Sequence, residues 1–223
     1  PRRFPSAIRC TLPQIIFETL GCRLNQIESE SAARFFVDTG FSVSMIPPTA
    51  ASEVLRDVLV CVVNTCAVTQ KAEQKARREI RLLLQKCPSS SVIVTGCYAQ
   101  LAADKIAELA PRVAVLPGLC KDRLADVPSL LSDFIETHEI FSAEDFSNLL
   151  SSTLFADTKS HTGKAEASFR LATDTFLAHS RSSLKIQDGC SSACSYCAIR
   201  IARGKSVSLP VRDVLSRIAS LKA

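Results

Sequence analysis

Three predicted strands each run directly into a cysteine, and this pattern constrains the fold of the chain more than any other feature. The strands cover residues 14–20, 58–64 and 91–95, and Cys22, Cys66 and Cys97 follow them. Residues 58–64 are apolar at almost every position, which is typical of a strand with both sheet faces covered. Such strands occur mainly in parallel sheets, so the pattern favours a sheet with helices packed on it.

Amphipathic helices are predicted between these strands. Apolar residues recur at helical spacing over residues 25–38 and again over residues 71–87. Further helices are predicted at residues 99–110 and 124–135, and short strands at residues 41–46 and 113–116. Alternating strands and helices predict an α/β fold, namely a parallel sheet with helices on both faces.

The predicted topology brings three cysteines together. Parallel sheets bind ligands beyond the carboxyl ends of their strands, and all such ends lie at the same edge. Cys22, Cys66 and Cys97 each follow one of these ends, so we expect them to converge there although they are far apart in sequence. The convergence predicts a three-cysteine metal centre.

The other cysteines of this part of the chain need no chemical role. Cysteine is a small hydrophobe that is often buried without further function, and we interpret Cys10, Cys61 and Cys87 in that way. Cys120 also follows a predicted strand at the same edge, and the sequence leaves its role open.

A second set of cysteines, Cys190, Cys194 and Cys197, has the spacing C-x3-C-x2-C, with Tyr196 before the last. Three thiolates on a four-iron, four-sulfur cube leave one iron without a protein ligand, and that iron can bind a substrate. A zinc ribbon shows two separated C-x2-C pairs, and a ferredoxin run brings a fourth cysteine soon after the third. The spacing therefore favours an open-iron cluster, with a zinc site as the alternative.

Composition sets limits on location and partners. The chain of 223 residues is 47% hydrophobic, which suffices for a substantial core, and its net charge of +5 is compatible with RNA without being diagnostic of it. It contains ten cysteines, and its sequence shows neither a secretory segment nor an apolar run of membrane length. We therefore expect a reducing, cytoplasmic location without a membrane.

The cysteine motifs resemble those of a known family. The C-x3-C-aromatic-C spacing resembles the radical S-adenosylmethionine (SAM) enzymes, and residues 184–190 and 202–204 are similar to the methylthiotransferase family among them. The sequences TLGCRLNQ (residues 19–26), NTCAVT (64–69) and TGCYAQ (95–100) resemble the three cysteine motifs of the same family. The resemblance covers roughly residues 14–125 and 181–205.

This resemblance implies two 4Fe-4S clusters and SAM as cofactors. The cluster on Cys190, Cys194 and Cys197 would bind SAM at its open iron and cleave it, after uptake of one electron, to a 5′-deoxyadenosyl radical that abstracts hydrogen from an unreactive carbon. The auxiliary cluster, for which the family motifs imply Cys22, Cys66 and Cys97 as ligands, would hold the sulfur to be methylated and inserted. An electron donor such as flavodoxin or ferredoxin is implied as a partner.

Four further residues are candidates for contacts with these cofactors, and none is predicted to be catalytic. Tyr196 occupies the aromatic position of the radical SAM signature. Arg203 is a candidate partner for the SAM carboxylate or an RNA phosphate, with a surface charge as the alternative. Asn25 and Asn64 lie beside cluster cysteines and are candidates for hydrogen bonds to sulfide or a bound ligand, with a turn-forming role as the alternative.

The resemblance also suggests a substrate. Residues 22–30 (CRLNQIESE) are most similar to the branch that adds a methylthio group to C2 of N6-threonylcarbamoyladenosine, next to the anticodon of tRNA. The branches acting on isopentenyladenosine in tRNA or on a ribosomal protein are alternatives, as is a non-catalytic iron–sulfur or zinc-binding module.

Residue composition and the family motifs divide the chain into three predicted parts. Residues 10–136 form the N-terminal methylthiotransferase domain, residues 137–182 a serine- and threonine-rich, partly packed connection, and residues 183–223 the start of a radical SAM domain. A complete barrel runs to about 250 residues. We therefore expect a truncated radical SAM domain, a chain that is inactive alone, and tRNA contacts made mainly by a missing C-terminal part.

Overall fold

A five-stranded sheet, in which all neighbouring strands run parallel, forms the centre of the molecule. It is seen in a computed structural model that describes residues 13–67, 69–156, 169–172, 176–177 and 182–222. The strands are β1 (Gln14–Thr19), β2 (Ser42–Ser44), β3 (Val58–Thr65), β4 (Ser91–Gly96) and β5 (Val113–Val115), in the order β2-β1-β3-β4-β5. The predicted parallel α/β sheet is confirmed, while Cys10 lies outside the described residues.

Helices cover both faces of this sheet, as predicted. They are α1 (Arg23–Asp38), α2 (Gln70–Lys86), α3 (Cys97–Leu101), α4 (Ala103–Ala107), α5 (Val127–Thr137) and α6 (Ala143–Ser152), with a 3₁₀ helix at Gly118–Ala125. Successive strand residues point to opposite faces, so Val62 packs with α1, α5 and α6, whereas Val63 packs with α2, α3 and α4. Double coverage is the reason that β3 is apolar at almost every position.

The predicted helix at residues 99–110 is in fact two short helices, and its predicted start is two residues too late. Gly96 has φ 100° and ψ −166°, so the chain turns sharply after β4 and α3 begins at Cys97 itself. At Ala102 the backbone leaves the helical region, with φ −144° and ψ 43°, and α4 starts at the next residue. An alanine-rich run shows the same hydrophobic pattern whether it forms one helix or two, so the periodicity does not reveal this break.

The predicted connection at residues 137–182 contains a helix that belongs to the main core. Helix α6 buries Phe146 and Leu150 completely against the sheet, and Ser147 Oγ donates a hydrogen bond to Arg112 O at 2.9 Å. Residues 157–168, 173–175 and 178–181 of this connection lie outside the described residues. The boundary at residue 136 stays a prediction.

Residues 182–222, hereafter the C-terminal segment, contain a second, smaller unit. Its strands β6 (Gln187–Asp188) and β7 (Val207–Ser208) pair antiparallel, and its helices are α7 (Ile199–Arg203) and α8 (Val211–Lys222). Helix α7 packs on α3 and on the 3₁₀ helix, and Ala202 is almost fully buried there. Strand β6 ends shortly before the second cysteine set, but the predicted start of a radical SAM domain is not shown by this two-stranded pair.

None of the helices in the described ranges has the length and apolar composition needed to cross a bilayer.

Candidate metal centre

Cys22, Cys66 and Cys97 lie at one edge of the sheet. They follow β1, β3 and β4, which are adjacent strands, and the register aligns Thr19 with Asn64 and Asn64 with Thr95. Because these strands are parallel and end level with one another, the turns after them emerge side by side. The structure thus places the three cysteines as the topology predicts, and their binding of a cluster stays a prediction.

Two glycines let the cysteine turns pack closely against one another. Gly21 has φ 105°, and a Cβ there would lie 2.6 Å from Cys66 Cβ and 3.0 Å from Cys66 Sγ. Gly96 has φ 100°, and a Cβ there would lie 2.2 Å from Thr65 O. Only glycine adopts such backbone angles without strain and avoids these contacts, so the Gly-Cys pairs have a steric cause.

Asn25 and Asn64 hold these turns together. Asn25 Nδ2 donates to Leu20 O at 2.8 Å and to Thr65 O at 3.1 Å, which joins the chain after β1 to the end of β3. Asn64 Nδ2 donates to Asn25 O at 3.0 Å and to Ser29 Oγ at 3.1 Å. Both side chains are buried and fill the turn-forming role; a contact with a bound ligand stays a prediction for both.

Thr65 supports the turn that carries Cys97. Its hydroxyl donates to Thr95 O at 2.5 Å and accepts from Ala99 N at 3.3 Å, so it satisfies one of the free N–H groups at the start of α3. Thr65 is fully buried. The position of Cys97 therefore depends on a side chain of the neighbouring strand.

We expect Thr65→Val to lower the free energy of unfolding by about 1–2 kcal/mol, because the Ala99 N–H and the Thr95 carbonyl lose a buried partner while the side-chain shape is kept. Urea unfolding followed by circular dichroism measures this loss. Thr137→Val is the control, since the Thr137 hydroxyl bonds only groups of its own exposed helix end. An equal loss in both variants would contradict a special role for Thr65.

Unsatisfied polar atoms mark the same edge. Thr19 Oγ1, Asn64 Oδ1 and Thr95 Oγ1 are buried and have no hydrogen-bond partner among the described residues. The three residues are in register on adjacent strands, so they lie on one face of the sheet just before the three cysteines. Buried polar atoms normally have partners, so this edge retains hydrogen-bonding capacity for a further group.

The donor set fits an iron–sulfur cluster. Cys22 is exposed, Cys66 half-buried and Cys97 buried, and all three are free thiols. Cysteine sulfur is the ligand that such clusters take. Within the described ranges, no three or more cysteine, histidine or acidic side chains stand together in a metal-binding arrangement, so the fit rests on donor chemistry and backbone placement.

The second cysteine set lies on the loop between β6 and α7. Cys190 and Cys197 are half-buried and Cys194 is exposed, and Cys190 N donates to Gly204 O at 3.1 Å. Tyr196 is 90% exposed, so its predicted contact with SAM stays a prediction. Ser191 Oγ of the same loop accepts a hydrogen bond from Ser206 N at 3.2 Å, and of the three cysteines Cys194 is the exposed one.

Arg203 is buried by protein groups rather than held at the surface. Its NH1 lies 2.9 Å from Asp188 Oδ1 and 3.2 Å from Glu28 Oε1, and its NH2 donates to Asn25 Oδ1 at 2.5 Å. Burial alone would lower the pKa of Arg203, but Glu28, Asp188 and then Cys97 raise it above its usual value. The predicted contact with SAM or phosphate stays a prediction, and the alternative of a surface charge does not describe this residue.

Glu28 is a site residue that sequence reasoning missed. Besides Arg203, it accepts from Lys121 Nζ at 2.5 Å and from Lys185 Nζ at 2.9 Å, and all these groups are buried or nearly so. Burial alone would raise the pKa of Glu28, but Lys121, Arg203 and Lys185 together hold it well below its usual range. Its partners are remote in sequence, so no local pattern indicated them.

The remaining described cysteines are buried in the core. Cys61 and Cys87 lie on the α2 face of the sheet and Cys120 on the opposite face, all with no exposed surface. These positions agree with our interpretation of Cys61 and Cys87 as core residues. They also place Cys120, whose role was left open, inside the core rather than at the open edge.

The sequence of the chain is similar to those of known proteins. Residues 14–118 match the family described as "Uncharacterized protein family UPF0004". The chain is 38% identical to the threonylcarbamoyladenosine tRNA methylthiotransferase MtaB of Treponema pallidum (strain Nichols), over 92% of this chain and 50% of that protein. The protein of the same name from Chlamydia pneumoniae is 31% identical, over 91% of this chain and 38% of its own length.

At lower identity, some of the relatives carry a different name. The tRNA-2-methylthio-N(6)-dimethylallyladenosine synthase of Photobacterium profundum is 27% identical, over 93% of this chain and 39% of that protein. The chain thus spans half or less of the length of these relatives. On these matches, residues 14–118 carry the UPF0004 domain, and the chain is similar over most of its own length to proteins named as tRNA methylthiotransferases.

Proposed function

We propose that this chain serves a tRNA methylthiotransferase that adds a methylthio group to C2 of N6-threonylcarbamoyladenosine next to the anticodon. The observation that carries this proposal is the 38% identity, over 92% of the chain, to a protein named as that enzyme. The proteins named for dimethylallyladenosine are less similar, at 26–28% identity. For this reason we favour the threonylcarbamoyl substrate.

In this proposal each cysteine set holds one 4Fe-4S cluster. Cys22, Cys66 and Cys97 bind the auxiliary cluster at the sheet edge, and Cys190, Cys194 and Cys197 bind the other together with SAM. When bound, these groups would supply a carbon radical and a sulfur atom for insertion, so the cofactors carry the difficult chemistry and the protein binds and orients them. The placement of the first set on three adjacent strand ends and the free state of all six thiols support this assignment.

In this proposal the residues around the cysteines orient and shield the bound cofactors. Asn25 and Thr65 fix the turns of the first set through the bonds described above. The hydroxyls of Thr19 and Thr95 are available to donate hydrogen bonds to a sulfur group, and Asn64 Oδ1 is available to accept one. Tyr196 contributes an aromatic wall on the side of SAM. The partners are tRNA and an electron donor such as flavodoxin or ferredoxin, in the cytoplasm.

We further propose that residues 1–223 alone are inactive. A radical must be shielded from water, and the structure leaves Tyr196 and Cys194 exposed on the loop that would hold SAM. Other protein surface is needed to cover this loop.

The test is expression of the natural gene product in a bacterial strain that lacks threonylcarbamoyladenosine methylthiotransferase, with mass spectrometry of nucleosides from its tRNA. We expect the methylthio-threonylcarbamoyl nucleoside to appear, and to disappear in Cys194→Ala. Cys61→Ala is the matched control and keeps the product, because Cys61 is a core residue.

Three outcomes would contradict these proposals. Methylthiolation of isopentenyladenosine instead, or no modified nucleoside at all, would overturn the substrate assignment. Product formed by residues 1–223 alone would show that the exposed loop needs no further cover.

A further inference from the structure

A buried group of charges joins the C-terminal segment to the sheet and its helices. At its centre Glu28, from α1, contacts Lys185 and Arg203 of the C-terminal segment and Lys121 of the 3₁₀ helix. Asp188 adds a second carboxylate, 2.7 Å from Lys185 Nζ and 2.9 Å from Arg203 NH1. We call these five residues the ionic cluster.

The ionic cluster is connected to the turns of the first cysteine set. Arg203 NH2 donates to Asn25 Oδ1 at 2.5 Å, and Lys121 Nζ lies 3.3 Å from the same oxygen. The amide nitrogen of Asn25 is bonded to Leu20 O and Thr65 O, next to the turns that carry Cys22 and Cys66. The Asn25 side chain therefore contacts both the cysteine turns and the ionic cluster.

The ionic cluster is also connected to the second cysteine set. Asp188 Oδ1 accepts a hydrogen bond from Gly189 N at 2.8 Å, directly before Cys190. Cys190 N is held by Gly204 O, the residue after Arg203, and a Cβ at Gly189 would lie 2.2 Å from Lys205 O. The Cys190 end of the loop is thus fixed by Asp188 of the ionic cluster and by residues next to Arg203, and the Cys197 end leads into α7, which carries Arg203.

Simple stabilisation is a poor explanation for such an arrangement. A buried ion pair often stabilises a fold no better than apolar residues of the same size, because its desolvation offsets its attraction. What it does supply is a defined geometry, since each charge is satisfied only in one relative placement of the two segments, and arginine adds a rigid planar fork. The ionic cluster consequently fixes orientation rather than general stability.

We propose that the ionic cluster, centred on Glu28, is a positioning device that sets the loop of Cys190, Cys194 and Cys197 against the turns of Cys22 and Cys66. This inference rests on the proposed function, in which the two sets act on one substrate. It gives Arg203 a positioning role in place of a contact with SAM or phosphate.

The first test is hydrogen exchange of the 223-residue chain without metal, read by mass spectrometry. Glu28→Gln removes the negative charge that faces Lys121, Lys185 and Arg203. We expect amide exchange in residues 184–208 to rise about tenfold or more, while β3 and β4 keep their protection. Asp38→Asn is the matched control: it lies on the same helix, breaks the exposed pair with Arg34, and leaves residues 184–208 unchanged.

A second variant guards against a folding defect of Glu28→Gln. Lys185→Met removes one cation from the C-terminal segment and leaves Glu28 paired with Lys121 and Arg203. We expect the same selective rise in exchange, of smaller size. A uniform rise that includes β3 and β4, or no rise in residues 184–208, would overturn the proposal.

A spectroscopic measurement separates positioning from mere structure. In protein reconstituted with iron and sulfide, Lys185→Met is expected to leave the iron content unchanged but to alter the magnetic interaction between the two reduced clusters. An unaltered interaction in this variant would contradict the positioning role. Failure to take up iron would instead count against the proposed function. The exchange data from metal-free protein would still test the positioning role of the ionic cluster.

Discussion

Anaerobic reconstitution with iron and sulfide is expected to load about eight irons and about eight sulfides per chain, because each three-cysteine set takes one four-iron cluster. The first set lies on three adjacent strand ends and the second on a loop anchored at Gly204. These sites are separate, so each should fill without the other. Iron and sulfide analysis, with the visible absorption of the clusters, measures the load.

Variants assign the two halves of this load. Replacing Cys22, Cys66 and Cys97 by alanine should halve the iron, and replacing Cys190, Cys194 and Cys197 should remove the other half. The double variant Cys61→Ala, Cys87→Ala is the matched control and should keep all of the iron, since both thiols are fully buried in the core. Stoichiometric zinc without iron would contradict the cluster assignment and favour the zinc alternative.

The gathering of the first cysteine set was predictable from sequence because it depends only on topology. Apolar strands with alternating helices indicate a parallel sheet, and in such a sheet every carboxyl end lies at the same edge. Cys22, Cys66 and Cys97 needed no knowledge of side-chain packing to be placed there. The order β1-β3-β4, which makes them neighbours, is an observation of the structure.

Local breaks and long-range contacts were not predictable in this way. The break of the alanine-rich helix at Ala102 leaves the helical pattern intact, so periodicity cannot reveal it. Helix α6 was missed because its serines resemble a connection, although Phe146 and Leu150 are core residues. Glu28 lies within the helix predicted over residues 25–38, and only the fold brings Lys121 and Lys185 to it.

Gly96→Ala is expected to lower the free energy of unfolding by about 3–5 kcal/mol, the largest effect of a single methyl group that we foresee. Gly96 has φ 100° and ψ −166°, a region that is essentially restricted to glycine. The added Cβ would also lie 2.2 Å from Thr65 O and 2.6 Å from Thr65 N, which are backbone atoms of the central strand and cannot move alone. Urea unfolding measures the loss.

Gly40→Ala separates these two causes. Gly40 has the same φ of 100°, but nothing lies within 4 Å of the position that its Cβ would take. Its substitution carries the backbone strain without the steric clash, so we expect a loss of about 1–2 kcal/mol. Both changes alter the unfolded chain in the same way, and the difference between them therefore measures how tightly the turns of Cys66 and Cys97 are packed. Equal losses in the two variants would mean that the turns yield easily, and the close packing of the cysteine turns described above would then not be rigid.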